Sequence, residues 1–335
     1  MIRSFTKGSL VKGKPVRIEC LEIEGQTYSL SLGAATVVQL EDEWYEDVKS
    51  PGSVIAALKD SRPKADIFTF WQRLPDVEPR FDFYREWESI AALPVKSFDD
   101  WWNKQIRSNT RNHIRKAEKS GVELREACYD DAFVRGMTDI FNETPVRQGR
   151  RFWHYGKDFE TVKQQFSRYL FREDLIGAYY QDELIGFVML GNAGRYAVIG
   201  QILSKIQHRD KATNNALMAK AVEVCARRGL PHLVYVQWGS RSLAEFKRQS
   251  GFEETPIPRY YVPLTQRGRL ILRLGLHRGW KEIIPLPVKN RLKSLRSRWL
   301  GVEDERGKQS MLGIAGLISP RPTDPGPRGN HRRHL

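Results

Sequence analysis

Cysteine is scarce. Cys20, Cys128 and Cys225 are odd in number and far apart, and no CxxC pair occurs. That spacing argues against a disulfide framework and a zinc site, and suits a reducing cytoplasm. HxH, CxxC and DxD clusters are all missing, so no metal is expected. The first ten residues carry charge but no apolar core of signal length, so export is not expected. Long apolar runs are missing too. The one near bilayer length, Leu184–Leu203, is interrupted by Asn192, Gly194 and Arg195, and reads as two buried strands of a hairpin. No GxSxG-type setting marks a serine nucleophile.

What is present suffices for a core: 335 residues, 40% hydrophobic and 11% aromatic. This excludes a disordered chain and fits one large or two medium domains. The net charge of +15 is unevenly spread. Gln266–Leu300 carries ten Lys or Arg against one acid, Glu282, a surplus of +9, and the residues beyond add +2. The first 265 residues hold only +4. An RNA binder should place its basic face on the folded body, and this body has little surplus.

Residues 1–96 read as a small α/β unit. Val16–Ile23 and Thr27–Leu32 are strands around a Glu24-Gly25 turn, and Thr36–Leu40 is a third. Pro51–Lys59 reads as a helix, with Ser50 as its cap and Pro51 at its first position. Asp66–Trp71 and Phe81–Leu93 are further strands across an Asp76–Pro79 turn. Ser97–Ser120 is the strongest helical pattern, capped by Ser97 and ended by Gly121. Arg107, Arg111, Arg115 and Lys119 recur at four-residue steps and should share a broad face. Val122–Ala127 is a strand and Asp130–Phe141 a helix. Asp158–Glu173 is amphipathic, and Leu175–Tyr180, Leu184–Gly191 and Tyr196–Leu203 form an antiparallel meander. A helix from about Ala212 to Arg228, a buried strand Leu233–Val236, a short helix Ser242–Gln249 and a strand Tyr260–Leu264 complete the pattern.

The segment Asn142–Asp158 is unusual for a loop. Arg147, Arg150 and Arg151 stand beside Phe152, Trp153, His154 and Tyr155, with Glu143 and Asp158 at the ends. Guanidinium groups fork onto phosphate or carboxylate and rings stack, so this mixture suits an anionic, partly flat ligand. The same residues also fit a long connection whose aromatics dock on the core.

From Val122 the order is β, α, α, β, β, β, α, β, α, β, which resembles the GCN5-related N-acetyltransferase (GNAT) fold. Two local sequences sharpen the likeness. Arg111–Val122, reading Arg-Asn-His-Ile-Arg-Lys-Ala-Glu-Lys-Ser-Gly-Val, resembles the helix-to-strand segment of FemAB-like acyltransferases. Ser242–Phe252, reading Ser-Leu-Ala-Glu-Phe-Lys-Arg-Gln-Ser-Gly-Phe, resembles their penultimate helix with its Phe-Lys pair. The resemblance covers about residues 97–265. It implies an α/β (α+β) fold with a mixed, mostly antiparallel sheet flanked by helices. Residues 1–96 would be a degenerate first half of such a pair, and residues 266–335 a basic tail.

That superfamily moves an acyl group from a thioester or an aminoacyl-tRNA ester to an amine. The resemblance implies acyl-CoA, such as acetyl-CoA, as donor, and an amino sugar, peptide or lipid-linked cell-envelope precursor as acceptor. Charged tRNA is the alternative donor; a non-catalytic membrane-surface or nucleic-acid-binding protein is the alternative class. The phosphate loop of the acyl-CoA enzymes falls here on His208–Asn215, where glycine is missing. Arg209, Lys211, Thr213 and Asn214 are the residues left to hold phosphate there. Lys247 matches the lysine of the Phe-Lys pair and so would touch donor or acceptor, although from the residues alone it reads as an exposed helix lysine. Glu143 and His154 are the base candidates, since an unperturbed His titrates near about 6.5. Tyr260 and Tyr261 are proton-donor candidates. Gln201, Gln237 and Trp238 sit at strand ends where such a fold splits to admit ligand. Arg147, Arg150, Arg151, Trp153 and Tyr155, with Gln237 and Trp238, are the substrate-binding candidates, and the loop that holds the first five is expected to share one cleft with Lys247.

The C-terminal segment repeats apolar positions at 288, 292, 295 and 299, with Lys289, Arg291, Lys293, Arg296 and Arg298 mostly elsewhere. That suits a helix lying on an anionic membrane surface, holding a cytoplasmic enzyme at the inner face, or an ordinary terminal helix packed on the body. The Pro, Gly and Arg content beyond Gly301 suggests a disordered end.

Overall fold

The computed structural model describes residues 2–11, 14–62, 64–147, 149–239 and 242–278. The chain begins with β1 (Ile2–Val11), β2 (Lys14–Ile23), β3 (Gln26–Ser31) and β4 (Val37–Leu40), followed by α1 (Pro51–Lys59), β5 (Ile67–Trp71) and β6 (Tyr84–Pro94). The β2–β3 hairpin closes through Glu24 and Gly25 at φ 51° and 73°, the consecutive left-handed pair that a two-residue turn requires. Ser50 caps α1 by accepting from the Ser53 amide at 3.4 Å. The strand β1 was not legible in the sequence.

The helix expected over Ser97–Ser120 is broken. It runs as α2 (Phe98–Asp100), a π-helical turn Trp101–Gln105, an extended step at Ile106 (φ −107°, ψ 148°) and Arg107, then α3 (Ser108–Lys119). Burial explains the break. Trp101 is fully enclosed, its indole N–H donating 2.9 Å to the Ser250 carbonyl, and Ile106 is buried with it. The Arg111 guanidinium caps the carbonyls of Trp102 (2.9 Å) and Ile106 (2.7 Å) at the break. Arg107 thus stands outside α3, and Arg111 serves the backbone rather than a shared basic face.

Next come β7 (Glu123–Ala127), α4 (Asp131–Asn142), the small ribbon β8 (Val146–Arg147) and β9 (Arg150–Arg151), and α5 (Phe159–Phe166). The meander is β10 (Glu173–Tyr180), β11 (Glu183–Asn192) and β12 (Ala197–Ser204). It leads into α6 (Thr213–Arg227), β13 (His232–Gln237), α7 (Ser242–Gln249), β14 (Glu253–Pro263) and α8 (Gln266–Arg273). Among the described residues twelve strands form one sheet, in the order β1-β2-β3-β4-β5-β14-β6-β13-β12-β11-β10-β7. β14 lies between β5 and β6, and β6 in turn pairs with β13, so the N-terminal and C-terminal parts share their central strands.

Both faces of the meander are covered, which is why its strands read as near-continuous apolar runs. Period two sorts the side chains. Ile176, Val188, Leu190 and Ile199 face α3 and α6. Leu175, Phe187, Met189 and Leu203 face α4 and α5. On this second face the acidic segment 41–47 crosses from the N-terminal part to the meander. Arg168 meets Glu41 and Asp42 at 2.7 and 2.9 Å, Arg172 meets Glu46 at 2.8 Å, and Arg195 pairs with Asp47. Deeper, the buried Arg259 bridges Glu43 and Glu88 at 2.9 and 2.7 Å.

Thr265 caps α8, accepting from the Gly268 amide at 3.0 Å, and Ile271 and Leu272 pack against Ile67. The start of the basic tail is therefore docked on the body. The expected amphipathic helix Val288–Leu300 and the end beyond Gly301 lie outside the described residues. Among the described residues no helix is long and apolar enough to cross a membrane.

Candidate active site

The sheet opens between β12 and β13. These strands run parallel and pair only at Ala197↔Leu233 and Val198↔Val234. Past that point both are irregular. On β12 the pairing with β11 steps from Ile199 to Gln201, leaving Gly200 as an extra residue. On β13 the register against β6 slips between Val234 and Gln237, and Val236 adopts φ 41°, a left-handed conformation rare for a β-branched residue. A split of this kind leaves strand-edge N–H and C=O groups for an extended ligand to pair with.

Lys247 projects from α7 to the β13 side of the split. It is buried, not exposed, which corrects the reading from the residues alone. Its ammonium donates to the carbonyls of Tyr235 (2.6 Å) and Gln237 and lies 4.2 Å from the centre of the Tyr235 ring. Burial without a carboxylate partner pushes its pKa down to about 7. The lysine thus supplies hydrogen bonds where the β13 ladder is irregular. Trp238 is buried nearby under the Arg248 guanidinium, and Gln237 is half-buried at the strand end.

The loop 142–158 lies on the other face. Glu143 accepts from the amides of Ile206 and Gln207 at 2.7 and 2.8 Å and from Arg147 at 2.8 Å. Arg147 also donates 2.9 Å to each of the carbonyls of Ser204 and Ile140. Together they latch the loop to the end of β12, so Glu143 is fully engaged. His154 is enclosed, stacked on Phe141 at 4.3 Å, with Lys157 Nζ 3.1 Å from its Nδ1. Burial lowers the Lys157 pKa to about 8, and its ammonium lies 4.0 Å from the centre of the half-buried Trp153 ring. Arg150, Arg151 and Tyr155 are exposed. Since His154 packs with the α4–α5 core and Lys247 with the α3–α6 core, the two approach the sheet from opposite sides. The expected shared cleft is not what forms. Tyr260 joins neither: it sits among Phe70, Phe81 and Phe83, donating 2.9 Å to Gln72 and accepting 2.9 Å from the Arg80 amide. Tyr261, its neighbour on β14, is raised in pKa by burial.

Beyond β12 the chain makes a 3-10 turn, Arg209–Lys211, and enters α6 through Ala212 at φ 54°. An L-residue thus holds a left-handed position that glycine usually takes. Thr213 and Asn214 are buried, and Thr213 Oγ1 and Asn214 Oδ1 have no hydrogen-bond partner. Lys211 Nζ lies 4.1 Å from the centre of the Tyr180 ring.

Two further residues at this level, Glu173 and Tyr45, escaped the sequence reading. Glu173, the first residue of β10, accepts 3.2 Å from the Tyr45 hydroxyl of segment 41–47. Its Oε2 is buried without a partner, and burial raises its pKa to about 7 although the Tyr45 bond lowers it. Gln201, on the same face of the sheet, is 1% exposed, and neither of its side-chain polar atoms has a partner. A glutamate opening a strand and a tyrosine over a hundred residues earlier carry no local pattern that links them.

The solved structures that share this topology are distant in sequence. The C-terminal DUF2156 domain of a putative lysylphosphatidylglycerol synthetase from Agrobacterium fabrum aligns over 77% of this chain and 88% of its own, with TM-score 0.53 and 10% identity. The fold is GNAT-like. L-PGS from Bacillus licheniformis aligns over 76% of this chain and 87% of its own, with TM-score 0.50 and 12% identity. FemX, at TM-score 0.47 and 10% identity, aligns over 80% of this chain and 90% of its own. No family model and no curated protein matches the chain. In this GNAT-like frame β12 and β13 are the splayed parallel pair, and α6 is the long central helix that follows.

Proposed function

We propose that the protein is an acyltransferase that moves an acyl group from acyl-CoA to an amine on a cell-envelope precursor. The observation that carries this reading is the split: two parallel strands that pair over two rows, diverge, and run into a helix whose first turn holds unpartnered buried oxygens. An extended thioester arm would pair with the freed strand edges. The first-turn N–H groups of Thr213 and Asn214 lack helical acceptors, and with the Thr213 hydroxyl they suit phosphate. Arg209 and Lys211 add positive charge beside them. The bound donor supplies the activated acyl carbon; the chain orients it and excludes water.

A second reading has its own support. Ala212 places a Cβ where a close phosphate approach favours glycine, which weakens the case for CoA and favours an aminoacyl-tRNA donor. The proteins of similar fold named for lysylphosphatidylglycerol synthesis point to a lipid acceptor in the same direction. Lipid-linked substrate and basic tail would place the enzyme at the inner membrane surface.

Thermal unfolding of the full chain with acetyl-CoA, and separately with charged tRNA, tests both. A ligand at 100 times its Kd stabilises the folded state by about 2.7 kcal/mol. A shift with acetyl-CoA supports the first reading and a shift with tRNA alone the second; no shift with either rejects acyl transfer.

A further inference from the structure

We propose that Glu173, oriented by Tyr45 and flanked by Gln201, binds the primary ammonium group of the acceptor and takes its proton. The proposal rests on the acyltransferase reading for its reaction but not for its site. Both parts of the chain build that site, since Tyr45 comes from the N-terminal region and Glu173 and Gln201 from the meander.

Glycines on β11 and β12 make room for these side chains. A Cβ added at Gly191 would lie 2.6 Å from the Tyr45 hydroxyl, and one at Gly200 would lie 3.8 Å from Glu173 Oε1. Gly200 is the extra residue of β12, and Gln201 follows it, paired with Met189 on the face that carries Glu173. The Glu173 carboxylate and the Tyr45 hydroxyl therefore lie beside the widened part of β12, on the face to which Gln201 also belongs.

The unmet hydrogen bonds define the ligand. Glu173 Oε2 and Gln201 Oε1 are acceptors without donors. Burying them empty is costly, about 1–3 kcal/mol for each unsatisfied group. Among the described residues no Lys, Arg or His forms an ion pair with Glu173; its chain neighbour Arg172 is taken by Glu46. The other groups around it are likewise occupied. Tyr169 stacks on Tyr45 and donates to Asp42, and Tyr129 donates to the carbonyls of Val162 and Lys163. A primary ammonium supplies the missing cation and three N–H donors. Gln201 Nε2 is then free to donate to the acyl oxygen as charge develops on it.

The step balances. The ammonium R–NH3+ gives one proton to the Glu173 carboxylate and becomes R–NH2. Its lone pair attacks the acyl carbon, the C–N bond forms, and the bond to the donor's thiol sulfur or ester oxygen breaks with its electron pair. The leaving atom takes the second nitrogen proton, and Glu173 returns its own to water. A carboxyl that titrates near about 7 is suited to this exchange at neutral pH.

The test is carbon-13 NMR of the full chain labelled at the glutamate carboxyl, with Glu173 assigned by difference from Glu173→Gln. The titration midpoint is measured alone, with methylammonium and with tetramethylammonium at equal ionic strength. The expected result is a midpoint near about 7 that methylammonium lowers by about one unit or more and tetramethylammonium leaves in place. Tyr45→Phe, which removes the bond that stabilises the charge, should raise the midpoint. A midpoint in the ordinary carboxylate range, or equal shifts with both cations, overturns the proposal. Failure of the acyltransferase reading is separate: the methylammonium shift would persist while neither acetyl-CoA nor charged tRNA alters the melting temperature.

Discussion

The buried Lys247 and the half-buried Glu173 lie on opposite faces of one sheet, and each has a testable consequence. A surface lysine replaced by alanine usually changes stability by less than about 0.5 kcal/mol. Lys247→Ala should instead cost about 2–4 kcal/mol, because it removes two hydrogen bonds donated by a buried ammonium to the carbonyls of Tyr235 and Gln237. Urea denaturation checks this; a loss under about 0.5 kcal/mol would mean the bonds contribute nothing. For Glu173 the folded pKa of about 7 exceeds the unfolded value, so the folded state binds more protons between about pH 4.5 and 7. Its contribution to stability is therefore full below that window and is lost as pH rises through 7, on the order of 3 kcal/mol at roughly 1.4 kcal/mol per unit. Glu173→Gln should be more stable than the natural protein at pH 8, and the difference should vanish toward pH 4.5. Lys247 was visible as a motif residue, but its burial was not, because an amphipathic helix face does not announce that its lysine caps a broken ladder. Gln201 was visible as a strand-end residue at the split, whereas Glu173 became meaningful only once β10 was a neighbour of the Tyr45 segment.

The secondary elements that were legible owe it to local chemistry: Ser50-Pro51 for α1, Glu24-Gly25 for the hairpin, and alternation for the meander. The break at Ile106 was not legible, since it arises from docking Trp101 beneath Ser250, a contact across 149 residues. Two elements carry their own predictions. α6 begins at a strained Ala212, and an L-residue there costs about 1–2 kcal/mol. Ala212→Gly should raise stability by up to about 1 kcal/mol, net of the entropy glycine adds to the unfolded chain; thermal unfolding showing a decrease would contradict the left-handed assignment. The loop 142–158 is latched by the Glu143–Arg147 pair. Arg147→Met leaves two carbonyls without their donor and takes one of three donors from Glu143, so a loss of about 2 kcal/mol or more is expected. Limited proteolysis should then cut first near the exposed Arg150 and Arg151; unchanged cleavage kinetics would show that the latch is dispensable.

The molecule as a whole is stitched rather than divided. β14 returns to lie between β5 and β6, and the acidic segment 41–47 binds Arg168, Arg172 and Arg195 across the second face. A fragment of residues 97–278 would lose β5 and β6, both partners of β14 and one of the two partners of β13, and should not fold alone. The order of strands and helices after Val122 was enough to expect a GNAT-like sheet, but not the interleaving of β14 and β6, which no local pattern encodes. This architecture sets the split between β12 and β13 at the middle of the sheet, between α6 and the Glu173 cluster. Amide hydrogen exchange of the full chain with and without acetyl-CoA tests that placement directly. Protection concentrated in residues 197–217 and 233–239 is the expected result. Protection elsewhere with these segments unchanged, or none at saturating acetyl-CoA, would contradict the split as the donor site.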